Sequence, residues 1–258
     1  MIPYFEQPRF SLGPITIHAF GVLVAVGILI GMRLIRRRAT ALGMDGAQAE
    51  RLTMWTLLGG FAGAHLIDRL VYYPADTLAD PLSLLRFWES LSSFGGFLGA
   101  IVGAALFIRH ERLGARTWPY LDLVAYAFPT SWFFGRTGCF LAYDHPGLNT
   151  TFFLAERYSD GVVRHNLGLE EALYVLPVAL LFLWLGRRRP HAPGFFVGLL
   201  AVVYAPVRFL LDFLRIADVR YFHFTPGQYG AVALLAVGVL ILWRVSARVT
   251  TPPPDSRR

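Results

Sequence analysis

Ionisable side chains inside long apolar stretches are the residues of this 258-residue chain with the strongest claim to chemistry. Arg136 lies in the run Gly135-Arg136-Thr137-Gly138-Cys139-Phe140, flanked by glycines that let a ligand or a second helix approach the backbone. Arg208 is followed four residues later by Asp212, so the two share a helical face and can pair, and Arg215 and Asp218 extend the run. His18, the group His65, Asp68 and Arg69, Asp122, and the group His165, Glu170 and Glu171 occupy other apolar stretches. An ionised group at a bilayer centre costs at least about 2.5–3.5 kcal/mol, so each needs a partner or a task. Snorkelling and helix-to-helix ion pairing account for terminal charges such as Asp68, Arg69, Asp122 and Glu170. Arg136 and Arg208 lie deeper. Two guanidinium groups facing one cavity form a clamp of planar forks matched to phosphate oxygens, which points to a phospholipid headgroup.

The elements that must position these groups are membrane helices. The chain is 55% hydrophobic and only 16% charged, against roughly 25% in an average soluble domain, so it lacks the polar side chains to cover a folded surface in water. Stretches of about 20 mostly apolar residues are expected to span near 15–35, 52–72, 92–108, 118–140, 169–186, 194–214 and 226–244. All 24 basic residues are arginine. Fifteen of them fall in alternate loops and at the C-terminal end, six fall on the other side, and Arg69, Arg136 and Arg208 fall inside spans. By the positive-inside rule the N-terminus is expected outside and the C-terminus in the cytoplasm. The sequence thus predicts an all-α polytopic protein, one seven-helix domain over 1–249, with a small extracytoplasmic head near 141–168 and a flexible tail over 250–258. The net charge of +7 is assigned to the anionic lipid bilayer as partner, not to nucleic acid.

Five segments together resemble the prolipoprotein diacylglyceryl transferases over almost the whole chain. Gly13-Pro14 with His18 and Gly21 is similar to the N-terminal segment of that family. Arg86 and Trp88 followed by Ser93-Phe94-Gly95-Gly96 is similar to the entry into its third helix. Gly135-Arg136-Thr137-Gly138-Cys139-Phe140 ending at Gly147 resembles its signature, and Arg164-His165 with Glu171 resembles a further element. Arg208-Phe209 with Asp212, Phe213, Arg215 and Asp218, followed by Gln228, resembles the last. The resemblance implies an enzyme of the bacterial inner membrane with its active site toward the periplasm. It would move the diacylglyceryl group of phosphatidylglycerol onto the lipobox cysteine of a preprolipoprotein and release glycerol phosphate. It further implies that Arg136 and Arg208 divide headgroup binding and leaving-phosphate stabilisation between them. Gly95, Gly96, Gly138, Cys139, Gly147, His165, Glu171, Asp212 and Arg215 would join Arg136 around the substrate.

Three residues depart from the family pattern: Phe94 stands where histidine is frequent, Phe20 where tyrosine is, and Cys139 where asparagine is. The proton acceptor therefore stays open between His145, Asp144 and His18, with unaided thiolate formation beside a guanidinium as a further route. Cys139, the single cysteine, reads as a small buried apolar residue, not as a nucleophile. No histidine, cysteine or carboxylate spacing suggests a metal, and no glycine-rich loop suggests a nucleotide, so no cofactor is expected. A lipid or small-anion transporter, or a family member that only binds lipid, are the competing classes.

Overall fold

Strongly apolar runs, their charges gathered toward one end, form long helices. In the computed structural model, which describes residues 1–12, 15–86, 91–188, 191–216 and 220–250, these are α1 (Ala19–Ala41), α6 (Leu167–Gly186), α7 (Phe195–Leu211) and α8 (Pro226–Thr250). Among the described residues, four segments are long and apolar enough to cross a membrane: Ala19–Ala41, Leu167–Gly186, Phe195–Leu214 and Pro226–Ala247. The other three expected spans correspond to α2 (Gly46–Ile67), α4 (Ser93–His110) and α5 (Thr117–Ala142). Helix α4 is only 18 residues long. Helices α2 and α5 carry Gln48, Glu50, Arg51 and His65, or Asp122 and Arg136, among small and aromatic residues that lower their mean apolarity. The protein is mostly helical and multi-pass in character.

Two small sheets accompany the helices. Strands β1 (Arg9–Leu12) and β2 (Ile15–His18) pair antiparallel with Arg9 opposite His18, so the first span begins at Ala19 and not near residue 15. Thr16, Ile17 and His18 alternate too briefly for a sequence pattern to distinguish this strand from the helix that follows. The segment between α5 and α6 contains β3 (Pro146–Asn149), β4 (Glu156–Arg157) and β5 (Val163–Asn166) in the order β3-β5-β4, all antiparallel. Ile2 adds to the β4 edge in parallel pairing with Glu156.

The chain forms two units, Met1–Arg38 with Leu121–Arg258, and Ala39–Tyr120. In the second unit α2 and α4 pack backbone against backbone: a Cβ on Gly63 would lie 2.7 Å from the Gly99 Cα. Small residues at such a seam permit the close van der Waals approach that holds helices together in lipid. Asp45 caps α2 through the Ala47 and Gln48 amides, and Gln48 Nε2 donates to Glu111 at 3.0 Å. Helix α2 continues as a π-helical turn over Asp68–Tyr72, followed by the short α3 (Pro74–Ala79).

In the first unit α5 is the central strut. Its Asp122 carboxylate accepts from Gly194 N at 2.7 Å and Val197 N at 3.0 Å, capping the start of α7 from outside that helix. Opposite-end contacts fix α1 and α6 to α5: a Cβ on Gly138 would lie 2.9 Å from the Phe20 ring, and one on Gly168 would lie 2.6 Å from Phe140 N. Asn166 caps α6 by accepting from Leu169 N at 3.2 Å and donates through Nδ2 to Phe140 O at 3.2 Å. The expected features at Gly13, Pro14, Trp88, Asp218 and residues 251–258 lie outside the described residues.

Candidate active site

A buried cation of the first unit is Arg136, on the penultimate turn of α5, with only 7% of its side chain exposed. Its Nη2 donates to Glu171 Oε2 on α6. The other oxygen of Glu171 accepts from Trp132 Nε1 at 2.8 Å and Tyr204 Oη at 2.9 Å, so three helices converge on one carboxylate. Burial of that carboxylate is tolerable only because donors satisfy it. The guanidinium also lies 5.5 Å over the Trp132 ring. Its Nη1 approaches Cys139 Sγ at 3.6 Å and His145 Nε2 at 3.5 Å. Its Nε is buried with no acceptor among the described residues.

A second cluster lies at the end of α7. Arg208 Nη2 pairs with Asp212 Oδ1 at 2.9 Å, as their spacing of four predicts, and Arg215 Nε lies 3.4 Å from the same oxygen. Asp212 Oδ2 accepts from Thr225 Oγ1 at 2.8 Å. Thr225 and Gln228 form a reciprocal capping box at the start of α8, with Gln228 N to Thr225 Oγ1 at 3.1 Å and Thr225 N to Gln228 Oε1 at 2.9 Å. Pro226 at the first helical position needs no amide partner there. Asp212 therefore joins α7, the following turn and α8. Tyr204, one turn before Arg208, lies within electrostatic range of both Arg136 and Arg208 and links the two clusters.

The head joins both. Gly147 on β3 forms a bridge to Arg215, and a Cβ there would lie 2.7 Å from His165 Cβ and 3.1 Å from Leu214 O, so only glycine fits. His145 and Asp144 precede it and hydrogen-bond through Nδ1 and Oδ1. His165 pairs with Glu170 at 2.5 Å and stacks under Phe152, 5.7 Å between centroids. Behind the sheet, Glu156 is buried and accepts from Asn166 Nδ2, and burial raises its carboxyl above the usual range. Burial likewise pushes the Tyr143 phenol up to about 12 while its oxygen accepts from Phe5 N at 3.0 Å. On the exposed rim a hydrogen bond from Arg164 holds the Asp160 carboxyl below its usual range.

Of the residues singled out in the sequence, Arg136, Cys139, Asp144, His145 and Glu171 come together in one cluster, and Arg208, Asp212 and Arg215 in the other. Gly138, Gly147 and His165 brace them. His18 sits exposed on β2. Gly95 and Gly96 belong to the second unit, where Gly95 faces Gly63 and Ile67 of α2. Sequence reasoning missed Trp132 and Tyr204. The available signal was the spacing: each stands four residues before Arg136 or Arg208, on the same helical face. Cys139, Asp144 and His145 also place one potential ligand atom each within 4.8 Å, a grouping that their spacing did not flag as a metal site. The cationic Arg136 against two of the three opposes a metal ion there.

Residues 8–244 match the family profile described as prolipoprotein diacylglyceryl transferase. The chain belongs to that family. Among its relatives, the phosphatidylglycerol–prolipoprotein diacylglyceryl transferase of Solidesulfovibrio magneticus is 30% identical over 95% of this chain and 96% of its own. That of Cereibacter sphaeroides is 30% identical over 93% and 98%, and that of Tolumonas auensis 28% over 90% and 92%. This member of the transferase family therefore aligns with the relatives over nearly their full length, head included.

Proposed function

We propose that this transferase moves the diacylglyceryl group of phosphatidylglycerol onto the cysteine thiol of a prolipoprotein, an early step of lipoprotein maturation. Arg136 binds the phosphate of the lipid headgroup, and Arg208 stabilises the phosphate as it leaves. The observation that carries these roles is the buried Arg136 guanidinium whose Nε has no acceptor among the described residues, with Tyr204 in electrostatic range of both it and Arg208. A phosphate oxygen supplies the missing acceptor. As the carbon–oxygen bond breaks, a second negative charge develops on the phosphate, and charge-assisted hydrogen bonds from preorganised guanidinium groups strengthen in a water-poor site. Asp212 and Glu171 hold the two forks in place without neutralising every donor.

Around that chemistry we retain seven membrane helices in one domain over 1–249, the N-terminus outside, the C-terminus in the cytoplasm of a bacterial inner membrane, and the site toward the periplasm. The arginine distribution supports this orientation. Gly138 and Cys139 line the headgroup side with His165. The lipobox segment delivers its thiol beside the head.

Incubating the purified protein in phosphatidylglycerol vesicles with a lipobox peptide tests the proposal. A mass gain of one diacylglyceryl group on the peptide, with loss of that gain in R136A and R208A, is the expected result. Near-normal turnover by either variant removes the two-arginine mechanism, and lipid retention without any mass gain leaves a binding protein.

A further inference from the structure

We propose that His145, oriented by Asp144, accepts the proton of the incoming substrate thiol; the assignment rests on the transfer reaction above. Asp144 Oδ1 holds His145 Nδ1, and His145 Nε2 faces Arg136 Nη1 at 3.5 Å. A guanidinium only donates, so the contact leaves Nε2 as the acceptor and Nδ1 as the protonated nitrogen shared with Asp144. In that tautomer the Nε2 lone pair is directed toward the guanidinium that binds phosphate. Exposure is graded along the cluster: 40% for the Asp144 side chain, 19% for His145 and 7% for Arg136. His145 thus stands between solvent and the buried guanidinium, where an arriving thiol and a departing proton both have access.

The groups facing the ring are Asp144, Arg136 and, with its sulfur inside the same 4.8 Å cluster, Cys139. Glu171 stands behind Arg136. The position is held on both sides, because His145 O accepts from Leu167 N at 3.2 Å and the chain is pinned two residues later at Gly147. Cys139 itself does not serve as nucleophile in turnover. Alkylation of its sulfur at the glycerol carbon would give a thioether, which has no tendency to pass the group onward. The acceptor is therefore free for the thiol of the second substrate.

In the step, the substrate S–H bond breaks and its proton goes to His145 Nε2. The sulfur forms a bond to the glycerol carbon, and the carbon–oxygen bond to phosphate breaks with its electron pair staying on oxygen. Glycerol phosphate leaves, and the imidazolium returns its proton to that phosphate or to water. At the moment of bond breaking the leaving dianion faces the new imidazolium as well as Arg136 and Arg208.

The test compares H145A, H145Q and D144N with the unaltered protein in phosphatidylglycerol vesicles, reading lipobox-peptide transfer from pH 6 to 10. A general base typically contributes about 10²–10⁴-fold. H145A is expected to fall at least about 100-fold at pH 7 and to approach the unaltered rate above roughly pH 8.5, where a free thiol ionises unaided. Added imidazole restores part of the H145A rate, and D144N, acting through the ring, loses less than H145A. Phosphatidylglycerol still raises the melting temperature of H145A and H145Q, showing folded protein with an intact headgroup site. An unchanged H145A rate and pH profile, or a deficit that neither pH nor imidazole relieves, overturns the assignment. If H145A is fully active while R136A is dead, the transfer reaction stands and the base falls. No transfer by the unaltered protein at any pH overturns both.

Discussion

Arg136 on α5 and Glu171 on α6 form an ion pair in which the carboxylate is only 1% exposed, with its second oxygen bonded to Trp132 and Tyr204. Removing one member of a buried pair strands the other charge at a cost of about 3–5 kcal/mol. R136A therefore loses stability as well as activity. The double variant R136A E171Q is expected to regain most of the melting temperature and none of the transfer, which separates the structural role of the pair from its chemical one. Recovery of transfer in the double variant would show that Arg136 matters only as a counter-ion.

Tyr204→Phe deletes a 2.9 Å hydrogen bond to that carboxylate. A bond to a charged acceptor contributes about 1.5–3 kcal/mol, so a melting shift of that order is expected in detergent. Transfer is reduced but not abolished, because Trp132 and Arg136 still hold Glu171.

Arg208→Lys keeps the positive charge and loses the planar fork. If one nitrogen of that fork pairs with Asp212 while another meets the leaving phosphate, an ammonium cannot do both. Turnover is expected to fall by about 100-fold, the usual cost of one donor to a developing oxyanion, with phosphatidylglycerol retention little changed. Lipid retention and initial rate measured on the same preparation check this.

Thr225→Ala removes the cap of α8 and a donor to the fully buried Asp212 together. Loss of a cap costs about 0.5–2 kcal/mol, and the unsatisfied carboxylate oxygen adds about 1–3 kcal/mol. Thr225→Ser retains both bonds and is expected to melt close to the unaltered protein.

Glu156 gives a pH prediction. Burial raises its carboxyl above the usual range, so folding favours its protonated form. Its contribution to stability is present below the unfolded value, about 4.3, and is lost as pH rises through the folded one. Glu156→Gln is expected to melt higher than the unaltered protein at pH 7, with the gain narrowing as the pH falls toward 4. Melting curves at the two pH values decide it, and an equal gain at both would place the effect elsewhere than in ionisation.

The sequence made some of this legible and not the rest, for physical reasons. The pairing of Arg208 with Asp212, the depth of Arg136 and the start of α8 at residue 226 follow from spacing and apolarity along one helix, which local rules read well. Glu171 was legible as a charge in an apolar stretch, but its partners Trp132 and Tyr204 were not, because they arrive from other helices. Asp122 is a cap for α7, more than 70 residues away in sequence, so no local rule finds it. The strands β1 to β5 are two to four residues long, too short for alternation to register against their apolar neighbours. The contact of His145 with Arg136 depends on the turn at Tyr143, whose positive φ of 56° reverses the chain after α5.

Asp122 and Arg136 sit on one helix fourteen residues apart, about 21 Å at 1.5 Å per residue, and the first fixes α7 while the second fixes α6. Helix α5 is thus a gauge between the two ends of the unit. A single residue inserted between them would raise Arg136 by about 1.5 Å and swing it through about 100°. That would carry the guanidinium away from Glu171, His145 and the phosphate site together, so the chain tolerates substitutions along this stretch far better than any change in its length.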